Sequence, residues 1–212
     1  VGCQTADDAP CDKESSALLL YDTETGEFQG TFTSAESSHL FHRPYGTAVG
    51  KHGEVAVASF FSNAILKYDQ AGHLLDTLAR TTTFDCLGFN GPNGLAFNPE
   101  MTKLFVTTEG ASFTCKEEPD SPCILKFEGL PSLIRQINLL DHSSEVFAIP
   151  TIEDPNNPPS LAGILFASNG KIFVSDYTMN IIRVYDPTSK VEERIITINA
   201  EEICNGASIP AP

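Results

Sequence analysis

Short apolar runs separated by turns recur along most of the chain. The segments 54–59 and 171–175 are rich in Val, Ile and Phe, residue types that favour extended strands. Turns such as 21–26 and 68–72 begin near an Asp and contain a Gly that can adopt a positive φ. No stretch keeps the period of an amphipathic helix, and 131–140 predicts one short helical turn at most. The pattern therefore predicts an all-β chain.

Internal repeats specify the architecture further. A stretch beginning at Arg43 and a second beginning at Leu161 each read as four short strands joined by tight turns. The matched positions are Gly46 with Gly163, Gly53 with Gly170, Asn63 with Asn180, Tyr68 with Tyr185 and Asp69 with Asp186. A repeat of about 40–45 residues with four strands is typical of a propeller blade.

Further copies are incomplete. A third copy starts at Gly91, and we expect its third strand to resume after an insertion as CILKFEG from Cys123. A four-stranded blade cannot bury both faces alone, whereas blades stacked around an axis can, so we predict a β-propeller of four-stranded antiparallel blades. The predicted units are a disulfide-looped N-terminal segment 1–16, an outer half blade 17–32, the blades 43–79, 91–149 with its insertion, and 161–198, and the start of a next blade at 206–212.

The predicted strands number about fifteen, or about four blades' worth, which predicts a partial propeller. Two interpretations remain open. The chain is either a piece of a larger propeller or an unusual four-bladed ring, and we favour the first because the sequence stops where a new blade would start.

Two motifs carry a resemblance to known families. The P-x-G-x-A pattern at 44–48 and 92–96, with S-D-x-x-x-N-x-x-R-V-Y-D at 175–186, resembles the NHL repeat. The run PNGLAF at 92–97 is similar to the SMP-30/gluconolactonase group, whose common members have six blades. The resemblance covers most of 17–209. It implies an extracellular binding or interaction module or, alternatively, a divalent-cation-dependent hydrolase of the lactonase type.

The second alternative implies a metal ligand. SMP-30 relatives hold a divalent cation at the channel mouth through an acid of the first blade and Asn and Asp residues of later blades. Asn93 matches the family's Asn, whereas Ala162 and Ala207 stand where an acid is expected. Ca²⁺ or another divalent cation is thus implied with one matching ligand, and no catalytic residue can be assigned.

One loop-lined face is the predicted site. In a propeller, the loops that enter strand one and those that join strands two and three lie together, and loops on a rigid scaffold commonly bind ligands. Each candidate also has a structural interpretation: Asn93 suits a turn before Gly94, and Asp176 suits an ion pair with Arg183. The predicted ligand-binding residues are Arg43, Tyr45, Asn63, Asn93, Glu109, Asp176 and Tyr177.

The net charge of −15 argues against nucleic acid as a partner, because that field repels phosphate backbones. It suits a cation or a basic partner, or solubility alone. No apolar run approaches the ~20 residues that span a bilayer. We therefore expect a protein or small-molecule ligand at the channel mouth, with no nucleic acid and no membrane span.

Six cysteines indicate an oxidising compartment. Cys3 and Cys11 have the same separation as Cys115 and Cys123, and each pair brackets a polar loop. We predict the disulfides Cys3–Cys11, Cys115–Cys123 and Cys86–Cys204, with other connectivities open. Zinc is disfavoured because no C-x-x-C occurs. The predicted location is extracellular or periplasmic.

Overall fold

The computed structural model describes residues 16–82, 85–110, 112–114, 124–126 and 130–197. These residues form sixteen strands and one short 3₁₀ helix, Ala35–Ser37. The strands are β1 Ala17–Tyr21, β2 Phe28–Ser34, β3 Pro44–Val49, β4 Val55–Ser59, β5 Ala64–Tyr68, β6 Leu74–Arg80, β7 Pro92–Phe97, β8 Lys103–Thr108, β9 Ser112–Thr114, β10 Ile124–Lys126, β11 Leu133–Asn138, β12 Ser144–Ala148, β13 Leu161–Phe166, β14 Ile172–Asp176, β15 Ile181–Tyr185 and β16 Glu192–Thr197.

Three four-stranded antiparallel sheets are the blades. The first blade has the order β3-β4-β5-β6, the second β7-β8-β11-β12 and the third β13-β14-β15-β16. An N-terminal hairpin, β1-β2, packs against the first blade, and β9-β10 is a separate small hairpin. The all-β propeller of four-stranded blades is confirmed, and what the structure describes is a partial one.

The prediction for the second blade was wrong in one respect. The run CILKFEG does not supply the third strand, because Ile124–Lys126 pairs with Ser112–Thr114 inside the insertion. The third strand is Leu133–Asn138, which lies between β8 and β12, so the helical turn considered for 131–140 is also wrong. Both runs are apolar and strand-sized, but only the second is placed where both its edges find partners and nearly all its residues are buried.

Apolar clusters between successive sheets hold the blades together. Ala56, Ile65 and Leu78 of the first blade pack against Leu95, Leu104 and Ile137 of the second. A second cluster joins the second and third blades, and a third joins the N-terminal hairpin to the first blade through side chains that include Phe32 and Tyr68. The first and second blades thus bury both faces, and the third buries the face that packs against the second.

The repeat glycines bring the inner strands into contact. A Cβ added to Gly46 would lie 2.1 Å from the carbonyl oxygen of Asn93, and one added to Gly94 would lie 2.2 Å from that of Ala162. Glycine is therefore required where one inner strand meets the next. Because equivalent residues meet each other, the equivalent ends of all three blades point the same way.

Several sequence predictions concern residues outside the described ranges. Cys3, Cys11, Cys115, Cys123 and Cys204 all lie there, as do 1–15 and 206–212. Cys86 is exposed and forms no disulfide with any residue that the structure describes. Since its predicted partner, Cys204, is not described, that pairing and the two local disulfides stay predictions. No helix in the described part of the chain is long and apolar enough to cross a membrane.

Candidate binding mouth of the propeller

The mouth is the end of the blades where strand one begins and strand two ends. In each blade this end is closed by the same backbone hydrogen bond: Phe60 N donates to Arg43 O at 3.1 Å, Glu109 N to Gly91 O at 2.9 Å and Tyr177 N to Ser160 O at 3.1 Å. A bulge follows in all three inner strands. The bulges place Tyr45, Asn93 and Ala162 at equivalent positions, each one residue before a repeat glycine.

Arg43 dominates the first blade's part of the mouth. Its guanidinium carbon lies 4.7 Å from the ring centroid of Phe61, 5.4 Å from that of Tyr45 and 5.6 Å from that of Phe60. Its Nη2 donates to the Tyr45 hydroxyl at 3.0 Å. Cation–π contacts of this kind each contribute about 0.5–1 kcal/mol at partly exposed sites, so the half-buried guanidinium is held in one orientation.

Asn93 and Glu109 form the second blade's part of the mouth. The Asn93 amide nitrogen donates to a carboxylate oxygen of Glu109. Burial raises the pKa of the Glu109 carboxyl above its usual value, while the Asn93 hydrogen bond and the positive charge of Arg43 act in the opposite direction. The mouth therefore combines a stacked cation with a hydrogen-bonded carboxyl, both supported by the rigid ends of strands.

Two of the seven predicted residues have structural roles. The side-chain oxygen of Asn63 accepts a hydrogen bond from Gly91 N at 2.9 Å and so fastens the loop that enters the second blade. Asp176 is 1% exposed and accepts hydrogen bonds from Arg183 Nε at 3.0 Å and Nη2 at 2.9 Å. It also accepts a hydrogen bond from Ser160 N, so it fixes the third blade's entry loop rather than facing a ligand.

The third blade contributes Tyr177 to the same end, where its side chain is 56% exposed. Sequence reasoning missed Phe60 and Phe61. Phe60 occupies the same position as Glu109 and Tyr177, so the repeat alignment already contained the signal that could have found it. Two adjacent aromatic residues after a buried strand are easily interpreted as core, and Phe60 is indeed 1% exposed, yet it also forms one wall around Arg43.

A divalent cation fits this set of residues poorly. At the mouth, Asn93 and Glu109 already bond to each other, Arg43 adds a positive charge, and Ala162 has no side-chain oxygen. Hard cations such as Ca²⁺ take six to eight oxygen ligands. Across the described ranges, no group of three or more His, Cys, Asp and Glu side chains is arranged to hold a metal ion.

Comparisons with known proteins agree with this architecture. No protein-family model and no curated protein matches the chain. Among solved structures, one from a nidogen/laminin complex has a TM-score of 0.50 at 10% identity, covering 86% of this chain and 72% of that chain. Hydrazine synthase from Kuenenia stuttgartiensis has a TM-score of 0.54 at 14% identity, covering 86% of this chain and 43% of that one. At such low identities the likeness shows the β-propeller fold alone.

Proposed function

We propose that this chain is an extracellular binding module, a propeller of the NHL type, that holds its partner at the mouth formed by Arg43, Tyr45, Asn93, Glu109 and Tyr177. The observation that carries the proposal is Arg43: an arginine oriented by three aromatic rings and one hydroxyl, at the end of the blades where strand one begins. Preorganised polar groups of this kind lower the entropy cost of binding.

Two further observations support a binding role. Tyr177 is more than half exposed at the same end as Arg43, and Tyr and Arg are the residue types enriched at interaction hot spots. The six cysteines and the resemblance to NHL repeats favour the extracellular setting. A rigid face that carries oriented aromatic and polar side chains suits the holding of a partner.

The alternative, a hydrolase that uses a divalent cation, is less well supported. It needs several oxygen ligands around one point, and the described mouth offers Asn93 and Glu109, which satisfy each other, next to a cation. These residues do not fit the metal, so no hydrolytic step follows from them.

The proposal is tested by photo-crosslinking from two ends of the propeller. A photoreactive phenylalanine replaces Tyr177 at the mouth, and in a control it replaces Lys51, an exposed residue in the β3–β4 turn at the opposite end. The full chain is secreted from the cells that make it, irradiated in their medium and examined for adducts by mass spectrometry. We expect adducts from the variant that carries the probe in place of Tyr177 and none from the variant that carries it in place of Lys51. Equal adducts from both variants would contradict the proposal.

A further inference from the structure

The guanidinium of Arg43 has hydrogen-bonding capacity to spare. Its Nη2 donates to Tyr45, and its flat face stacks on aromatic rings. Its Nε and Nη1 groups make no hydrogen bond within the described residues. A guanidinium presents several N–H donors in a planar fork that matches a carboxylate in a bidentate fashion. The ring contacts orient that fork, and its open edge is the part that carries the Nε and Nη1 donors, because no described residue bonds to them.

Among the described residues, Arg43 has no ionic partner, which is unexpected in a chain with 28 acidic and 13 basic residues. Arg183, by contrast, is fully buried between Asp176 and Glu192. Over the ranges that the structure describes, no carboxylate forms an ion pair with Arg43. The nearest candidate at the mouth, Glu109, is instead turned to the Asn93 amide. The positive charge is therefore kept available in a strongly negative molecule.

The backbone at Arg43 adopts a conformation that favours glycine. Arg43 has a left-handed φ of +52°, and the equivalent residue of the next blade, Gly91, has a φ of +62°. This turn suits glycine, whereas a residue with a Cβ adopts it at a cost in free energy. The contacts of the Arg43 side chain with the aromatic rings and the Tyr45 hydroxyl offset part of that cost.

Resting on the proposed function, we propose that Arg43 is the anchor for a carboxylate of the partner protein, bound by the open edge of the guanidinium. A carboxylate is favoured over a phosphate. A single arginine next to Glu109 in an acidic molecule balances one negative charge but not two. The carboxylate can belong to an Asp or Glu side chain or to a chain terminus, and the two sources share this recognition chemistry.

The test observes Arg43 directly in the intact chain. Protein labelled with ¹⁵N-arginine is titrated with N-acetylglutamate N-methylamide, which carries a side-chain carboxylate, and with N-acetylglycine, which carries a terminal one. N-acetylglutamine N-methylamide and methyl phosphate are the matched comparisons. We expect a saturable shift of the Arg43 Nε–Hε resonance with a carboxylate, at least tenfold weaker binding of the carboxamide, and the stronger carboxylate to identify the source.

Variants complete the test. The variants are labelled uniformly with ¹⁵N and followed through the backbone amide resonance of Tyr45. Arg43→Gln is expected to weaken carboxylate binding at least tenfold, and Arg43→Lys to weaken it less, because lysine keeps the charge but loses the fork. Lys51→Gln, which removes a positive charge from the exposed β3–β4 turn at the opposite end of the blades, serves as the control that leaves binding unchanged. Equal shifts with the carboxamide, or stronger ones with methyl phosphate, would overturn the inference.

These outcomes are separable from failure of the proposed function. If the probe that replaces Tyr177 forms adducts but the Arg43 resonance does not shift when carboxylates are added, the mouth binds a partner by other chemistry and only this inference is lost. If carboxylates bind but no adduct forms at the mouth, the proposed module lacks its partner although the anchor is real.

Discussion

Replacing Gly94 by alanine tests how the blades meet. The added Cβ would lie 2.2 Å from the Ala162 carbonyl oxygen and 3.0 Å from the Thr107 hydroxyl. Because the carbonyl belongs to the neighbouring inner strand, the third blade has to recede by about 1 Å to restore van der Waals contact. A gap of that size forfeits a quarter to a half of the dispersion energy of the contacts that it separates.

The magnitude follows from this displacement. Overpacking typically costs about 1–3 kcal/mol, and the upper end applies here because the closest clashing group, the Ala162 carbonyl, is backbone and the apolar interface between the second and third blades must shift with it. For a chain of this length, 1 kcal/mol lowers Tm by roughly 2–4 °C. We therefore expect Gly94→Ala to lower Tm by roughly 6–12 °C.

The matched control is Gly163→Ala, at the same repeat position in the third blade. Its Cβ would meet only the Ser175 hydroxyl, at 3.2 Å, so a change in stability within about 1 kcal/mol is expected, with stabilisation possible through the lower entropy of the unfolded chain. Thermal and urea unfolding, followed by circular dichroism, measure both variants. Equal losses for Gly94→Ala and Gly163→Ala would refute the inner-strand contact.

Three further predictions follow from single residues. Asp176→Asn should lower the free energy of unfolding by about 3–5 kcal/mol, because it leaves the buried Arg183 with one carboxylate fewer; a loss below 1 kcal/mol in urea unfolding would contradict this. Because the pKa of Glu109 is raised in the folded state, the stability of the wild-type protein falls as pH rises above the pKa of this group in the unfolded chain. Glu109→Gln should therefore raise Tm at pH 7 and have little effect on it near pH 3.5. A larger gain in Tm at the acidic pH would contradict the raised pKa. Non-reducing peptide mapping should recover Cys86 linked to Cys204, the pairing predicted from the sequence, whereas alkylation of Cys86 in the native, unreduced protein would contradict that disulfide.

The repeat pattern was sufficient to predict the blades because the residues that specify each blade's strands and turns lie close together in the sequence. The glycine before each inner-strand bulge, as at Gly46, and the Asp-initiated turns, as at Asp69, recur with the strands that they connect. The insertion could not be interpreted in this way. Ile124–Lys126 and Leu133–Asn138 are both strand-like, and only the pairing partners decide which one enters the blade.

The candidate site was predicted in outline but not in its chemistry. The sequence places Arg43, Asn93 and Glu109 at one end of the blades, since that follows from topology. It does not show that Arg43 stacks among aromatic side chains while Asn93 satisfies Glu109, because side-chain partners across blades depend on how closely the inner strands approach. The burial and bonding partners of each side chain, which the sequence does not show, also separate Asp176, a buried structural acid, from the exposed residues of the mouth.

The most direct measurement of the central claim is a nuclear Overhauser contact between the Cα protons of Gly46 and Gly94. A Cβ built on Gly46 would lie 3.1 Å from the Gly94 Cα, so inner strands that meet around an axis predict a strong cross-peak between two residues far apart in sequence. If the assigned Gly46 protons instead show contacts only within their own blade, the blades do not converge at an axis, and the mouth built on that convergence does not exist.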